Sequence, residues 1–271
     1  REYLGNSLEK ITREKGGIVR EGGICLTAAP QKPVLDTLEA LCRERGATLF
    51  RWGKDIRTRI HRDGTFAYRG IERHFPRLAC PLIGKHQYAN AALALGATEV
   101  IGRAGIALSE RAVREGLRNT RWEGRLEVLR REPLLLLDGA HNPAGAETLR
   151  RALLQDFSYR RLWLVFGVLE DKEYRTMARK LFPLADGVII TRPESDRALA
   201  PDRLLPVAGR FNKPVWAVED PGEALSKALS QAGKEDLVCV AGSLYLAGAV
   251  KRMCLRSVDR GIADGGGERT Q

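Results

Sequence analysis

Asp138 and His141 are the residues of this chain with the clearest potential for chemistry. They follow the apolar run 133–137, which is typical of a buried strand, and Asn142 and Pro143 favour a helix that begins directly after them. In an open parallel sheet, a turn from strand to helix lies at the edge where ligands bind. Asp138 can there bind ribose hydroxyls or orient a charged group, and His141 can contact a carboxylate or phosphate or transfer a proton. The structural alternative is that Asp138 only braces the turn and that His141 is a surface residue.

A second strand end of the same kind is predicted at residues 240–245. Gly242 permits a close approach of the backbone, and Ser243 is a suitable cap for the helix that follows, which contains Tyr245. The Ser243 hydroxyl is predicted to face the same edge of the sheet as the first turn, although capping alone explains a serine here equally well. A Ser-His-Asp hydrolase is a rival interpretation, but Ser243 is not on the GxSxG turn that such enzymes use.

Three further polar residues are candidates, and each has a structural alternative. Arg125 follows a predicted joint between two domains, where a guanidinium group can make two hydrogen bonds to a phosphate. By position alone it is one of many arginines in the chain. Asn90 lies in the first turn of an alanine-rich helix and taken alone is a cap or a helix-packing residue. Lys15 lies near the end of a helix, where a solvated lysine interacts favourably with the helix dipole.

Strands and helices alternate regularly from residue 134 onward. This order predicts an α/β domain with a doubly wound sheet of about five parallel strands. The predicted strands are 134–137, 162–166, 187–191, 214–218 and 237–241, and the predicted helices are 143–155, 172–182, 201–209, 221–232 and 244–256.

The preceding part of the chain also has an α/β pattern, in which a β-hairpin is inserted. The hairpin is predicted within residues 56–83, with Asp63 and Gly64 at its turn. Residues 122–125 are predicted to join the two domains. The predicted strands before the hairpin are 23–27 and 48–52, and the predicted helices are 4–15, with Asn6 or Ser7 as its cap, 34–45, 87–101 and a last one from Ser109 to residue 117.

Composition narrows the class of protein. Hydrophobic residues make up 44% of the chain, which indicates a globular protein, and no apolar stretch approaches the roughly 20 residues of a membrane span. The net charge of +11 favours anionic small substrates, because the arginines are spread along the chain and are not interleaved with aromatic residues as in many nucleic-acid binders. Five scattered cysteines without a CxxC pair indicate reduced thiols in a cytoplasmic protein. We therefore expect no nucleic-acid or membrane partner. We also expect the protein to be a monomer.

Taken together, the motifs resemble the folylpolyglutamate synthase/dihydrofolate synthase family, within the Mur ligase superfamily. The matching segments follow the family order across nearly the whole chain: residues 4–19, 82–94, 122–128, 136–145, 166–173 and 241–248. The resemblance implies the remnant of a Mur-ligase-type central ATPase domain at 1–121, followed by a doubly wound, mostly parallel, Rossmann-like glutamate-ligase domain at 122–256. Residues 257–271, which include three consecutive glycines, are predicted to be a disordered tail.

The resemblance also implies a reaction. ATP phosphorylates a carboxylate of a folate or dihydropteroate, the amine of L-glutamate attacks the acyl phosphate, and an amide forms as ADP and phosphate are released. ATP and Mg²⁺ are the implied cofactors. The implied roles are ATP binding for Asn90, Arg125 and Asp138, glutamate binding for His141, Ser243 and Tyr245, catalysis for Lys15, Asp138 and His141, and support of Mg²⁺ for Lys15 as a carbamate.

One departure from the family pattern is large. The family's phosphate-binding loop, its metal-binding glutamate and histidine, and most of its pterin contacts precede the region that matches this chain. The chain contains no Walker A sequence and no GxGxxG after a strand. We therefore expect a fragment that is inactive alone. The alternatives are a Mur-type peptidoglycan ligase, which the segments 4–11 and 242–245 argue against, and a non-catalytic truncated binding module.

Overall fold

A computed structural model describes the backbone of residues 7–264 and the side chains of residues 7–256. The chain divides into two compact units, with the boundary between Arg121 and Trp122. Among the helices of the described segment, none is both long enough and apolar enough to cross a membrane. Residues 1–6, which include the alternative predicted cap Asn6 and the predicted start of the first helix, lie outside the described residues.

The first unit begins with a short α/β segment. Helix α1 (Leu8–Gly16) is capped by Ser7, whose Oγ accepts a hydrogen bond from the Lys10 N–H at 3.2 Å. Strand β1 (Ile24–Thr27), helix α2 (Lys32–Glu44) and strand β2 (Thr48–Arg51) follow, and the two strands pair in parallel. The predicted strand–helix–strand order is therefore confirmed.

The β-hairpin is also confirmed, as part of a three-stranded antiparallel sheet. Its strands are β3 (Arg57–Ile60), β4 (Phe66–Arg69) and β5 (His74–Leu78), and helices α3 (His86–Arg103) and α4 (Glu110–Arg118) follow. Ser109 caps α4 as predicted, through its Oγ and the Ala112 N–H.

A buried carboxylate fixes the hairpin sheet on α3. Glu99 is only 4% exposed and accepts hydrogen bonds from the Tyr68 hydroxyl at 2.5 Å and from the Arg73 N–H at 2.9 Å. Burial, followed by the hydrogen bond to Glu99, raises the pKa of the Tyr68 phenol well above its usual value. This network holds the part of α3 around Glu99 against β4 and the turn before β5.

The second unit is a six-stranded sheet flanked by helices. Five strands are parallel, as the sequence predicts, and the doubly wound α/β fold class is confirmed. The strands β6 (Glu127–Arg131), β7 (Leu134–Leu137), β8 (Leu162–Phe166), β9 (Gly187–Ile190), β10 (Val215–Ala217) and β11 (Leu237–Ala241) lie in the order β10-β9-β8-β11-β7-β6. The helices are α5 (Pro143–Gln155), α6 (Tyr174–Leu181), α7 (Leu205–Ala208), α8 (Pro221–Gln231) and α9 (Leu244–Asp264).

Three details of the second unit differ from the sequence prediction. Strand β6 was not predicted, since its charged residues and edge position give it no continuous apolar run, and it pairs antiparallel with β7. The predicted helix 201–209 is only the short helix α7, with 3₁₀ turns at 201–203 and 209–211. Helix α9 continues to Asp264, so residues 257–264 are helical where disorder was predicted, and the remainder of the predicted tail lies outside the described residues.

A buried carboxylate also stabilises the amino-terminal ends of the central strands. Asp236 is completely buried, and its oxygens accept hydrogen bonds from the Gly233 N–H at 2.9 Å, from Arg161 at 3.0 Å and from Arg160 at 3.3 Å. Burial alone would raise the pKa of Asp236, but the Gly233 N–H, Arg161, the Trp163 indole and Arg160 together lower it to about 2.

Replacing Asp236 with asparagine is expected to lower the free energy of unfolding by on the order of 1–2 kcal/mol near neutral pH. The folded pKa of about 2 lies below the ordinary value of 3.8, so this stabilisation is complete above pH 3.8 and is lost as the pH falls toward 2. Urea unfolding of wild type and Asp236→Asn at several pH values measures the difference. The exposed Asp202→Asn is the control, and a loss that is the same at neutral and acidic pH would contradict the assignment.

Candidate active site at the carboxyl edge of the second sheet

The Asp138 side chain joins two turns of the second unit. Asp138 directly follows β7, and its N–H donates to the Val240 carbonyl at 2.9 Å. The side chain is only 7% exposed; its Oδ1 accepts from the Ala140 N–H at 2.9 Å and its Oδ2 from the Leu126 N–H at 3.1 Å. One carboxylate therefore fixes both the turn before β6 and the turn after β7.

The environment of Asp138 has two opposing effects on its ionisation. Burial raises the pKa of this carboxyl group above its ordinary value. The N–H groups of Leu126 and Ala140, and the nearby Arg125 and His141, act in the opposite direction. Arg125 is half-buried in the same turn as Leu126. The structure thus brings Arg125, Asp138 and His141 close enough to interact electrostatically.

The His141 ring has a defined orientation. Its Nδ1 lies 2.8 Å from the Gly139 carbonyl oxygen. Because a carbonyl oxygen only accepts hydrogen bonds, Nδ1 carries the proton, and Nε2 of the neutral ring is left as an acceptor. Asn142 then caps α5 as predicted, accepting a hydrogen bond from the Gly145 N–H at 2.8 Å, with Pro143 as first helical residue. The predicted strand-to-helix turn is confirmed.

Ser243 lies at the end of β11, which is the direct neighbour of β7, so both turns share one edge of the sheet. The serine is 2% exposed; its Oγ accepts from the Tyr245 N–H at 3.0 Å and its carbonyl accepts from the Ala247 N–H at 3.1 Å. Ser243 is therefore a cap of α9. The Tyr245 side chain is 49% exposed, so its ring is accessible from solvent.

The Gly139 backbone makes two hydrogen bonds within the site, and the sequence prediction did not include this residue. Its N–H donates to the Gly124 carbonyl at 2.7 Å, and its own carbonyl accepts from His141. Leu126, whose N–H binds Asp138, has a positive φ of 46°. A signal for this connection was present in the sequence, since Gly124 and Gly139 each stand next to a predicted site residue.

Similarity to known proteins covers this unit and extends beyond it. Residues 124–244 match the Mur ligase glutamate ligase domain family. A dihydrofolate synthase/folylpolyglutamate synthase of Bacillus subtilis is 33% identical over 256 residues, which are 92% of this chain and 59% of the relative. The chain is homologous to the folylpolyglutamate/dihydrofolate synthases. The resemblance inferred from the motifs is therefore confirmed.

Solved structures of folylpolyglutamate/dihydrofolate synthases have the same fold. An Escherichia coli FolC in complex with DHPP and ADP is 27% identical, with a TM-score of 0.83 over 94% of this chain and 59% of that chain. A Yersinia pestis enzyme of the family, complexed with AMPPNP and a Mn ion, is 27% identical, with a TM-score of 0.79 over 93% of this chain and 58% of that chain. This chain thus spans about three-fifths of the length of the relatives it matches.

The predicted site residues are distributed over both units. The match to the glutamate ligase domain includes Arg125, Asp138, His141 and Ser243, which the structure places in the second unit. Tyr245, one residue beyond the match, also lies in the second unit. Lys15 and Asn90 lie in the first unit and are exposed, and the Asn90 amide donates to Gln87 Oε1 at 2.9 Å.

Proposed function

We propose that the protein is an ATP-dependent ligase that forms an amide between a carboxylate of a folate or dihydropteroate and the amine of L-glutamate, through an acyl phosphate. The observation that carries the proposal is the buried Asp138 carboxylate, which joins the Arg125 turn to the His141 turn within a Mur-ligase glutamate ligase domain. Homology to the folylpolyglutamate/dihydrofolate synthases supports the substrate class. The ADP, AMPPNP and Mn ion in the related structures support ATP and a divalent metal such as Mg²⁺ as cofactors.

Arg125 and Asp138 are proposed to bind the nucleotide. Arg125 is half-buried beside Asp138, and its guanidinium group can make two hydrogen bonds to a phosphate. Asp138 keeps the Arg125 turn in place through the Leu126 N–H. Asn90 is proposed to contact the base, since its exposed amide offers both a donor and an acceptor.

His141, Ser243 and Tyr245 are proposed to bind the incoming glutamate. With Nδ1 committed to the Gly139 carbonyl, His141 presents Nε2 as the atom that can accept a proton from the glutamate amine or, once protonated, bind a carboxylate. The Ser243 hydroxyl accepts from the Tyr245 N–H and retains its own proton for a ligand carboxylate.

In the described part of the chain, no group of three or more His, Cys, Asp or Glu side chains is placed to hold a metal ion. A magnesium ion bound mainly through ATP phosphates is consistent with this composition. Lys15 is proposed to support the metal as a carbamate, formed when its free amine adds CO₂ and loses a proton. Its position in the exposed last turn of α1 leaves the amine accessible to CO₂.

Assays of the complete gene product and of the 271-residue chain test the proposal. The gene product is expected to release ADP only when a pteroate or folate and L-glutamate are both present, and His141→Gln is expected to lower the rate by about 100-fold. The 271-residue chain is expected to show no turnover, because it contains no Walker-type phosphate loop. Wild-type turnover by the chain alone would overturn the second expectation.

The same assays separate the alternatives. Amide formation on a UDP-sugar peptide instead of a folate would identify a Mur-type peptidoglycan ligase. Absence of turnover with any acceptor, together with retained nucleotide or folate binding, would identify a non-catalytic module. We further propose a cytoplasmic monomer without nucleic-acid or membrane partners. The five scattered cysteines, none of them in a CxxC pair, support a reducing compartment.

A further inference from the structure

Leu244 is an apolar residue in an unusual position. It is the first residue of α9, directly after Ser243, and it is 50% exposed at the carboxyl edge of the sheet. Helical side chains point toward the amino end of their helix. A residue in the first turn of α9 therefore projects beyond the helix, toward the neighbouring turns of the sheet edge.

The buried part of the Leu244 side chain lies against two glycines of the candidate active site, Gly139 and Gly124. A Cβ added to Gly139 would lie 2.2 Å from Leu244 Cδ2 and 3.0 Å from its Cγ. A Cβ added to Gly124 would lie 3.7 Å from the same Cδ2 atom. Leu244 thus fills the space that a side chain at position 139 would occupy, and it lies within van der Waals distance of position 124. It packs directly on the Gly139 backbone.

The Gly139 peptide is the link from Leu244 to His141. Its N–H donates to the Gly124 carbonyl at 2.7 Å, and its carbonyl accepts from His141 Nδ1 at 2.8 Å. The hydrogen bond made by one imidazole nitrogen determines which nitrogen carries the proton. A displacement of the Gly139 carbonyl would therefore change both the orientation of the ring and its tautomer.

We propose that Leu244 is a positioning residue for His141, which holds the Gly139 carbonyl where it keeps the imidazole proton on Nδ1 and leaves Nε2 as the reactive atom. Leu244 acts through Gly139 and not by contact with the ring. The consequence for catalysis rests on the proposed ligase function, whereas the consequence for the ring does not.

Nitrogen-15 NMR of the imidazole groups in the 271-residue chain tests the proposal. The chain has four histidines, and His141→Gln assigns the His141 signals. In wild type above neutral pH, Nδ1 of His141 is expected to be protonated. Leu244→Ala and Leu244→Val lack the Cδ2 atom that packs on Gly139, so we expect a mixture of His141 tautomers in both variants. Leu244→Met is expected to keep the wild-type spectrum. Leu255→Ala, at a site on α9 that is 55% exposed, is the matched control.

The NMR result for the His141 tautomer does not depend on ligase turnover, so the two proposals can fail separately. His141 signals that remain at their wild-type positions in both Leu244→Ala and Leu244→Val, or that move equally in Leu255→Ala, would overturn the inference. In the complete gene product, Leu244→Ala is expected to lower kcat by about 10-fold and to change the pH profile, with Leu244→Met near wild type. If no ligase activity exists but the tautomer changes as expected, the proposed function fails and the positioning role stands.

Discussion

Replacing Asp138 with asparagine is expected to lower the free energy of unfolding by about 2–3 kcal/mol and the catalytic efficiency of the complete gene product by about 100-fold. Both carboxylate oxygens accept from backbone N–H groups, those of Ala140 and Leu126. An amide has only one acceptor oxygen, so its NH₂ group would face one of these donors. A buried donor without an acceptor costs about 1–3 kcal/mol, and isosteric replacement therefore does not preserve the turn.

The loss of activity follows from the loss of position. Without one of the two hydrogen bonds, either the turn of Arg125 or the turn of His141 is released, and a displacement of about 1 Å can cost 100-fold in rate. Asp138→Ala is expected to be at least as destabilising, because both donors lose their partner. Asp156→Asn, at the exposed far end of α5, is the control and should stay within about 0.5 kcal/mol of wild type. Urea unfolding and ADP release measure the two effects; an Asp138→Asn variant with wild-type stability would contradict the role of the two hydrogen bonds.

The fold of the second unit was largely predictable because its sheet is buried. Strands covered on both faces have continuous apolar sequences, so β7, β8 and β11 were located at their observed bounds. Strand β6 lies at an edge and has only two apolar residues, Val128 and Leu129, between charged ones, so no apolar run revealed it. The region of α7 contains three-residue 3₁₀ turns, which have too little periodicity to be separated from a helix in the sequence.

The position of the site was predictable, but its internal contacts were not. The rule that ligands bind beyond the carboxyl ends of parallel strands identified Asp138, His141 and Ser243. The bond from Leu126 to Asp138 and the packing of Leu244 on Gly139 join segments that are far apart in sequence. Such contacts depend on backbone geometry across neighbouring strands, which residue type and local spacing do not encode.

Replacing Gly242 with alanine is expected to lower the free energy of unfolding by about 3–5 kcal/mol, which is a large part of the stability of an ordinary domain. Gly242 lies between the end of β11 and the Ser243 cap, with a φ of +111° that side-chain-bearing residues rarely adopt. A Cβ at this position would also lie 2.4 Å from the Gly167 carbonyl oxygen and 3.1 Å from the Phe166 ring. The carbonyl belongs to the backbone after β8 and cannot rotate away, so either the strand end or the Ser243 cap must move.

Gly248→Ala provides a control of opposite sign. Gly248 lies within α9, and an added Cβ would meet only the flexible end of Arg252 at 3.5 Å. Alanine is a better helix former than glycine, so this variant is expected to gain about 0.5–1 kcal/mol. Thermal and urea unfolding of the two variants should therefore move in opposite directions from wild type. A Gly242→Ala variant that retained wild-type stability would show that the β11–α9 turn can relax, and the close approach to Gly167 would then not constrain the edge on which Ser243 and Asp138 lie.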